Sequence, residues 1–294
     1  MTQPDQLANV FEANRGHLRA VAYRMLGDAS EADDAVQEAW LRLSRSDAES
    51  IRNIEGWLTT VVGRVCLDML RSRKARREEA LETEVGEPVI NNESSSDPEE
   101  EAQLADSVGL ALLVVLDTLA PAERVAFVLH DVFDVSFDEI ASIVGRTPAA
   151  ARQLASRARR RVRGEETVPA SDLQTQRRVV DAFLAALRGG DFEGLLAVLD
   201  PDVVVHLDSR AGAPGAPREI RGAENWARGA VAFSHLARFV QPALINGAAG
   251  LVFATRGRLT RALIFTISNG KIVRADIIAE PARLQQLDIA VLSD

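Results

Sequence analysis

Seven arginines and no carboxylate lie between Arg146 and Arg163 in RTPAAARQLASRARRRVR. Guanidinium groups at that density suit phosphates and bidentate pairing with guanine, which points to nucleic acid as the ligand. At 100° per residue, Ala151, Leu154, Ala155, Ala158 and Val162 fall on one side of a helix, and Arg152, Gln153, Ser156, Arg157 and Arg160 on the other. One face packs and the other reads. A solvated basic helix end is the plain alternative. Thr147 is placed to cap this helix and Pro148 to open it. Before it, Ser136 and Glu139 have capping-box spacing, Phe137, Ile140, Ala141 and Val144 recur at helical period, and Gly145 supplies a stop. The spacing predicts a helix, a tight turn and a second helix over Asp134 to Arg163.

Three other groups of residues could do chemistry. Arg71, Arg73, Lys74, Arg76 and Arg77 end a helix in EGWLTTVVGRVCLDMLRSRKARRE, where cations favour a phosphate backbone and also complement the helix dipole. In DDAVQEAWLRL, Asp33, Asp34, Gln37, Glu38 and Leu41 lie outside the stripe formed by Ala32, Ala35, Val36, Ala39 and Leu43. That face is either solvated or docks on a protein. Near the C-terminus, His206, Asp208, His235 and Asp276 are the His and Asp residues placed on or near strands, with His206 and Asp276 as pocket residues. No catalytic residue is assigned. Cys66 is the single cysteine and falls in an apolar helical pattern, so neither a disulfide framework nor a cysteine metal site is available. No metal and no cofactor is expected.

The elements that must position these groups follow from periodicity and composition. The net charge of -9 is unusual for a nucleic-acid binder until it is located: residues 78–106 hold eleven carboxylates and no Lys or Arg, which leaves -9 + 11 = +2 for the remainder. That acidic, Pro- and Ser-containing stretch reads as a flexible linker whose only apolar island is Val85 to Ile90. Before it, helices at Gln6 to Leu26, from Asp28, and from Glu55 form one all-α domain, residues 1–77. After it, helices over 107–164 form a second, with the helix-turn-helix at its end. Beyond the short tether EETVPASD, residues 172–294 change period from helical to alternating, with helices first and an antiparallel sheet after. Asn269 and Gly270 mark a two-residue hairpin there. The chain is therefore multidomain, two all-α helical domains followed by an α+β domain. No membrane span or signal peptide is read, and a cytoplasmic location is expected.

On DDAVQEAWLRL, WLTTVVGRVCLDMLRSR and LAPAERVAFVLHDVFDVSFDEIASIVGRTPAAARQLASRARRRV, residues 6 to 77 and 107 to 163 resemble sigma-70-type RNA polymerase sigma factors of the extracytoplasmic-function (ECF) group. The resemblance implies a non-enzymatic initiation factor that binds core RNA polymerase, at the clamp and flap of its large subunits, and promoter DNA. It implies that Asp33, Asp34, Gln37, Glu38 and Leu41 face the polymerase. Arg64, Asp68 and Arg71 would approach the downstream promoter element, and Arg152, Gln153, Ser156 and Arg157 would read the upstream one; Arg73, Arg76 and Arg160 of the basic clusters complete the expected DNA-binding residues. Many ECF factors carry asparagine where this chain has Arg64.

The extension from about Asp172 is similar to SnoaL-like domains of the NTF2 fold, and ECF factors with this extension form a subgroup that includes the mycobacterial I and J sigma factors. In that subgroup the extension modulates the sigma part; GEPVI, RAGAPGAPR and EPARL stand where its motifs are expected. The alternative is a helix-turn-helix regulator fused to a small-molecule-binding or catalytic SnoaL-like domain.

Overall fold

The computed structural model describes residues 3–46, 51, 53–82, 109–164, 170–211, 218–255 and 258–292. Of the acidic stretch 78–106, residues to Glu82 are described, as the end of a helix. The island Val85 to Ile90, the GEPVI motif, residues 212–217 of RAGAPGAPR and most of the EETVPASD tether lie outside the described residues.

The chain divides into two compact units, Met1–Glu101 with Leu116–Arg159, and Ala102–Val115 with Arg160–Asp294. In the first, α1 (Gln3–Leu26), α2 (Ala29–Arg45) and α3 (Ile54–Glu82) pack on one another. Gly27 turns the chain at φ 74°, and Asp28 caps α2 by accepting from the Glu31 amide at 3.0 Å. The predicted stripe is buried: Leu18, Val21, Ala22 and Met25 meet Ala32, Ala35, Ala39 and Leu43, all with no exposed surface. The alanines let α2 approach its neighbours closely.

The rest of the unit comprises the end of α4 (Leu110–Thr118), α5 (Pro121–Phe127), a π-helical turn (Val128–Val132), α6 (Phe137–Val144) and α7 (Pro148–Arg163). The capping box at Ser136 and Glu139 is formed from both sides, Gly145 stops α6 at φ 68°, and the Ala150 amide donates to Thr147 Oγ1 at 3.3 Å. The helix, turn and helix follow the sequence reading residue for residue. The π-helical turn was not anticipated. It keeps Val128 and Leu129 buried while His130 lies against the Phe137 ring at 3.9 Å.

The second unit is a mixed α+β body. Among the described residues seven strands run β1 (Leu199–Leu207), β2 (Glu219–Arg221), β3 (Val240–Ile245), β4 (Ala248–Thr255), β5 (Arg258–Ser268), β6 (Lys271–Ile278) and β7 (Ile289–Val291), in the sheet order β2-β1-β6-β5-β4-β3-β7. Only the β1–β6 pair is parallel. α8 (Ala170–Gly189), α9 (Phe192–Val198) and α10 (Ala223–Ala232) cover one face, where Phe183 lies 5.2 Å from Trp226 and 5.5 Å from Phe265.

The other face buries Ala243, Ile245, Val252, Ala254, Ala262 and Ile278 against Ala111, Val114 and Val115 of α4, with Val162 of α7 packed beside them. This explains why the units do not follow the sequence boundary near 164. Ala111 and Leu113 to Leu116 are buried, in keeping with the apolar sequence of that helix.

Candidate nucleic-acid interface

The outer face of α7 sorts its cations. Arg152, Gln153, Ser156, Arg157 and Arg160 are all exposed, as the helical period requires. Their surroundings differ. The Arg152 guanidinium lies over the Phe137 ring at 5.3 Å, a cation–π contact that orients the side chain. Arg157 Nε donates to Glu123 Oε1 at 2.8 Å, and Arg159 Nε to Asp131 Oδ1 at 2.5 Å. Glu123 is buried, so α7 is tied to α5 by a charge-assisted bond on one flank and to the π-helical turn on another. Sequence reasoning put Arg157 among the readers and gave Glu123 and Asp131 no role. The signal was the polar pair Glu123 and Arg124 inside the apolar run of PAERVAFVL.

At the end of α3 the basic cluster is also divided. Arg71 is exposed beside Asp68 at 3.6 Å, and Arg76 is exposed with Nε near the Ser72 carbonyl at 3.4 Å. Arg73 is turned inward, donating to the Leu26 carbonyl at 3.1 Å and to the Glu31 carboxylate. Arg64 donates from Nη2 to the Ser142 carbonyl of α6 at 3.3 Å. A cleft of about 330 Å³ lies between Arg71, Lys74 and Ala75 of α3 and Ala120, Pro121 and Ala122 at the start of α5.

The structure brings the acidic residues of α2 together on one exposed side. Asp33 accepts from Arg19 Nε at 2.8 Å and Glu38 from Arg42 Nε at 2.9 Å. Asp34 and Gln37 are exposed, and Leu41 is 38% exposed, an apolar side chain set among charges.

In the second unit His206 and Asp276 are register partners on β1 and β6, on the face opposite Val203, Val205 and Ala275 of the aromatic core. His206 Nδ1 lies 3.7 Å from Glu219, and Asp276 accepts both Nε and Nη2 of Arg274 at 3.0 and 2.8 Å. They do not line the Phe183, Trp226 and Phe265 core. The structurally committed carboxylate is Asp208. Its side chain is 3% exposed and accepts from the Ala279 and Glu280 amides at 2.8 Å each and from the Arg210 amide at 3.1 Å, with Arg283 at 3.8 Å. Burial pushes its carboxyl up, and these donors more than offset that, holding it below the usual range. Asp208 thereby fixes the start of EPARL, whose Pro281–Leu284 is the short helix α11.

Two family models match parts of the chain. Residues 10–76 match the model of Sigma-70 region 2, and residues 109–162 that of Sigma-70, region 4. The ECF RNA polymerase sigma factor SigJ of Mycobacterium tuberculosis strain H37Rv is 39% identical over 284 residues, covering 92% of this chain and 91% of that protein. The probable ECF RNA polymerase sigma factor SigI of Mycobacterium tuberculosis strain CDC 1551 is 37% identical over 291 residues, 98% of each. The crystal structure of the Mycobacterium tuberculosis SigJ factor aligns with a TM-score of 0.45 at 38% identity, covering 94% of this chain and 98% of that one.

Proposed function

This chain belongs to the ECF sigma-70 family of RNA polymerase sigma factors, and we propose that its DNA contacts are divided between the exposed cations of α3 and the outer face of α7. As a sigma factor it binds core RNA polymerase and promoter DNA and directs transcription initiation. The observation that carries the finer assignment is the sorting of arginines on α7. Arg152, Gln153 and Ser156 stand exposed in one stripe with Arg160, while Arg157 and Arg159 are spent on Glu123 and Asp131. Arg152 and Gln153 then read base edges, Arg160 and the exposed Arg71 and Arg76 meet phosphates, and Arg64 faces the downstream element.

The exposed Asp34, Gln37 and Leu41, with Asp33 and Glu38 beside them, form the surface for the polymerase clamp, and the helices of region 4 meet the flap. The α+β unit is a SnoaL-like, NTF2-like extension that modulates the sigma part. The engagement of His206 and Asp276 with neighbouring charges favours a structural role for both. Region 2 then occupies residues 1–77, region 4 residues 107–164 and the extension residues 172–294.

Promoter-directed transcription with purified core polymerase tests this reading. Arg152→Ala is expected to relax discrimination at one upstream base pair by about 1 to 3 kcal/mol, while Arg160→Ala weakens binding to all sequences and lowers the salt slope by about 0.9. If Arg152→Ala lowers affinity uniformly across base substitutions, the base-reading assignment fails. Gln37→Ala with Leu41→Ala should weaken recovery of core polymerase and leave the fold intact.

A further inference from the structure

Residues 225–275 hold seven cations and no carboxylate, in a chain whose net charge is -9. The structure sorts these cations as it sorts those of α7. Arg228 lies 3.9 Å from Glu224, Lys271 Nζ donates to the Leu199 carbonyl at 3.3 Å, and Arg274 is engaged by Asp276. Arg256 lies outside the described residues. Arg238, Arg258 and Arg261 remain, and among the described residues none of the three has a carboxylate partner.

Two of these arginines are held by rings instead. After α10 a 3₁₀ turn, Ser234–Phe239, leads into β3. The Arg238 guanidinium lies 4.7 Å over Phe239, whose ring meets that of Phe253 edge-on at 5.9 Å, and the Arg261 guanidinium lies 5.9 Å over Phe253. Register explains the series: Val240, Phe253 and Arg261 are partners across β3, β4 and β5. Cation, ring, ring and cation thus follow one another without a break. A cation–π contact positions a guanidinium without supplying an oxygen acceptor, so its N–H donors stay available to a ligand. Phe233, just before the turn, is 56% exposed, and Arg238 and Arg258 are exposed as well. Five steps at the 3₁₀ rise set Phe233 and Arg238 about 10 Å apart along the turn.

We infer that this surface of the α+β unit binds single-stranded nucleic acid, with Arg238, Arg258 and Arg261 on phosphates and the exposed Phe233 ring under a base. Charge alone would suit any polyanion, and the rings choose among them. A duplex turns its phosphates outward and keeps its bases stacked on one another, so it has a use for the arginines and none for Phe233. A carboxylate-rich peptide offers no face to stack. A single strand offers both, and cations interleaved with aromatic rings hold it without reading its sequence. The span from Phe233 to Arg238 matches about three nucleotides at the stacked rise of about 3.4 Å. Initiation exposes strands of two kinds, the opened promoter DNA and the new transcript, and the phosphate and the stacking face are common to both.

The test uses the full chain with labelled oligothymidine and oligouridine strands that carry no promoter sequence. Phe233→benzoylphenylalanine is expected to cross-link to the strand on illumination, and absence of the adduct overturns the inference. In anisotropy titrations Phe233→Ala should weaken strand binding by about tenfold, the loss of one stacked base. Arg238→Ala with Arg261→Ala should weaken it by at least as much and lower the salt slope by about 1.4, at about 0.7 per phosphate contact on a single strand. Both variants should bind a random-sequence duplex as the parent does. Unchanged strand binding in both overturns the inference, as do equal losses on strand and duplex, which would make the surface a duplex site. Displacement of the strand by an equimolar peptide of residues 78–106 also overturns it, since the chain's own acidic stretch would then be the occupant. A tighter complex with oligothymidine or with oligouridine upholds the surface in either case and names the opened promoter or the transcript as its source.

Discussion

Each unit holds a charged side chain that is almost wholly covered, Arg124 in the first and Asp208 in the second, and the two are treated in opposite ways. Asp208 in the second unit is met by three backbone amides and a guanidinium and ends with its carboxyl held below the usual range. Among the described residues, Arg124 in the first donates from Nη1 to Asp117 Oδ1 at 3.4 Å and leaves its buried Nε without a hydrogen-bond partner, and burial lowers its pKa. A fully satisfied buried charge specifies one geometry and resists rearrangement, whereas a half-satisfied one taxes the packing that hides it. The second unit is thus pinned at Asp208, whereas the first carries a buried guanidinium that costs something to keep.

The sharpest way to break this contrast is Asp208→Asn. The second unit should lose about 2 kcal/mol at neutral pH, read from unfolding followed through Trp226 in a Trp40→Phe, Trp57→Phe background. The sign with pH is fixed by the depressed carboxyl. The stabilisation is fully present above the unfolded value of about 4 and disappears as pH falls through the lower folded value, so parent and variant should converge in acid.

Ser136→Ala removes the cap of α6 and should cost the first unit about 1 kcal/mol, seen as an earlier thermal transition. A double-mutant cycle on Glu123 and Arg157 should give a coupling of about 0.5 kcal/mol, because Arg157 is half exposed. The salt slope of promoter binding should stay unchanged in Arg157→Ala, unlike Arg160→Ala. The smallest effect is expected where the contrast is strongest: Arg124→Met should leave stability within about 1 kcal/mol or raise it. A loss of several kcal/mol there would show that Arg124 is as well satisfied as Asp208.

Local signals carried much of this in the sequence. The capping box at Ser136 and Glu139, the left-handed Gly145 and the Thr147–Pro148 start define the helix-turn-helix from residues that act on their own neighbours. The Asn269–Gly270 hairpin was legible for the same reason, with both turn residues at positive φ. A second Asn-Gly turn, Asn246–Gly247, went unread because the alanines and glycine after it resemble a loop. Gly250 is in fact a strand position, where a Cβ would stand 2.7 Å from the Leu263 carbonyl. β2 and β7, three residues each, are too short to show alternation. The fate of individual cations was illegible for another reason. Whether Arg73 or Arg157 faces solvent depends on Glu31 and Glu123, which are 42 and 34 residues away.

Gly164 ends α7 at φ 68°, and a Cβ there would collide with that of Ala290 on β7, so the backbone and the neighbouring strand both demand glycine. The sheet face behind it is roofed by Ala111, Val114, Val115 and Val162. A premature stop codon after Gly164 would therefore do more than shorten the gene. It would leave those four side chains without the apolar bed they share, so the fusion acts as a ratchet: once acquired, the extension cannot be shed in one step without compensating polar changes in α4 and the last turn of α7.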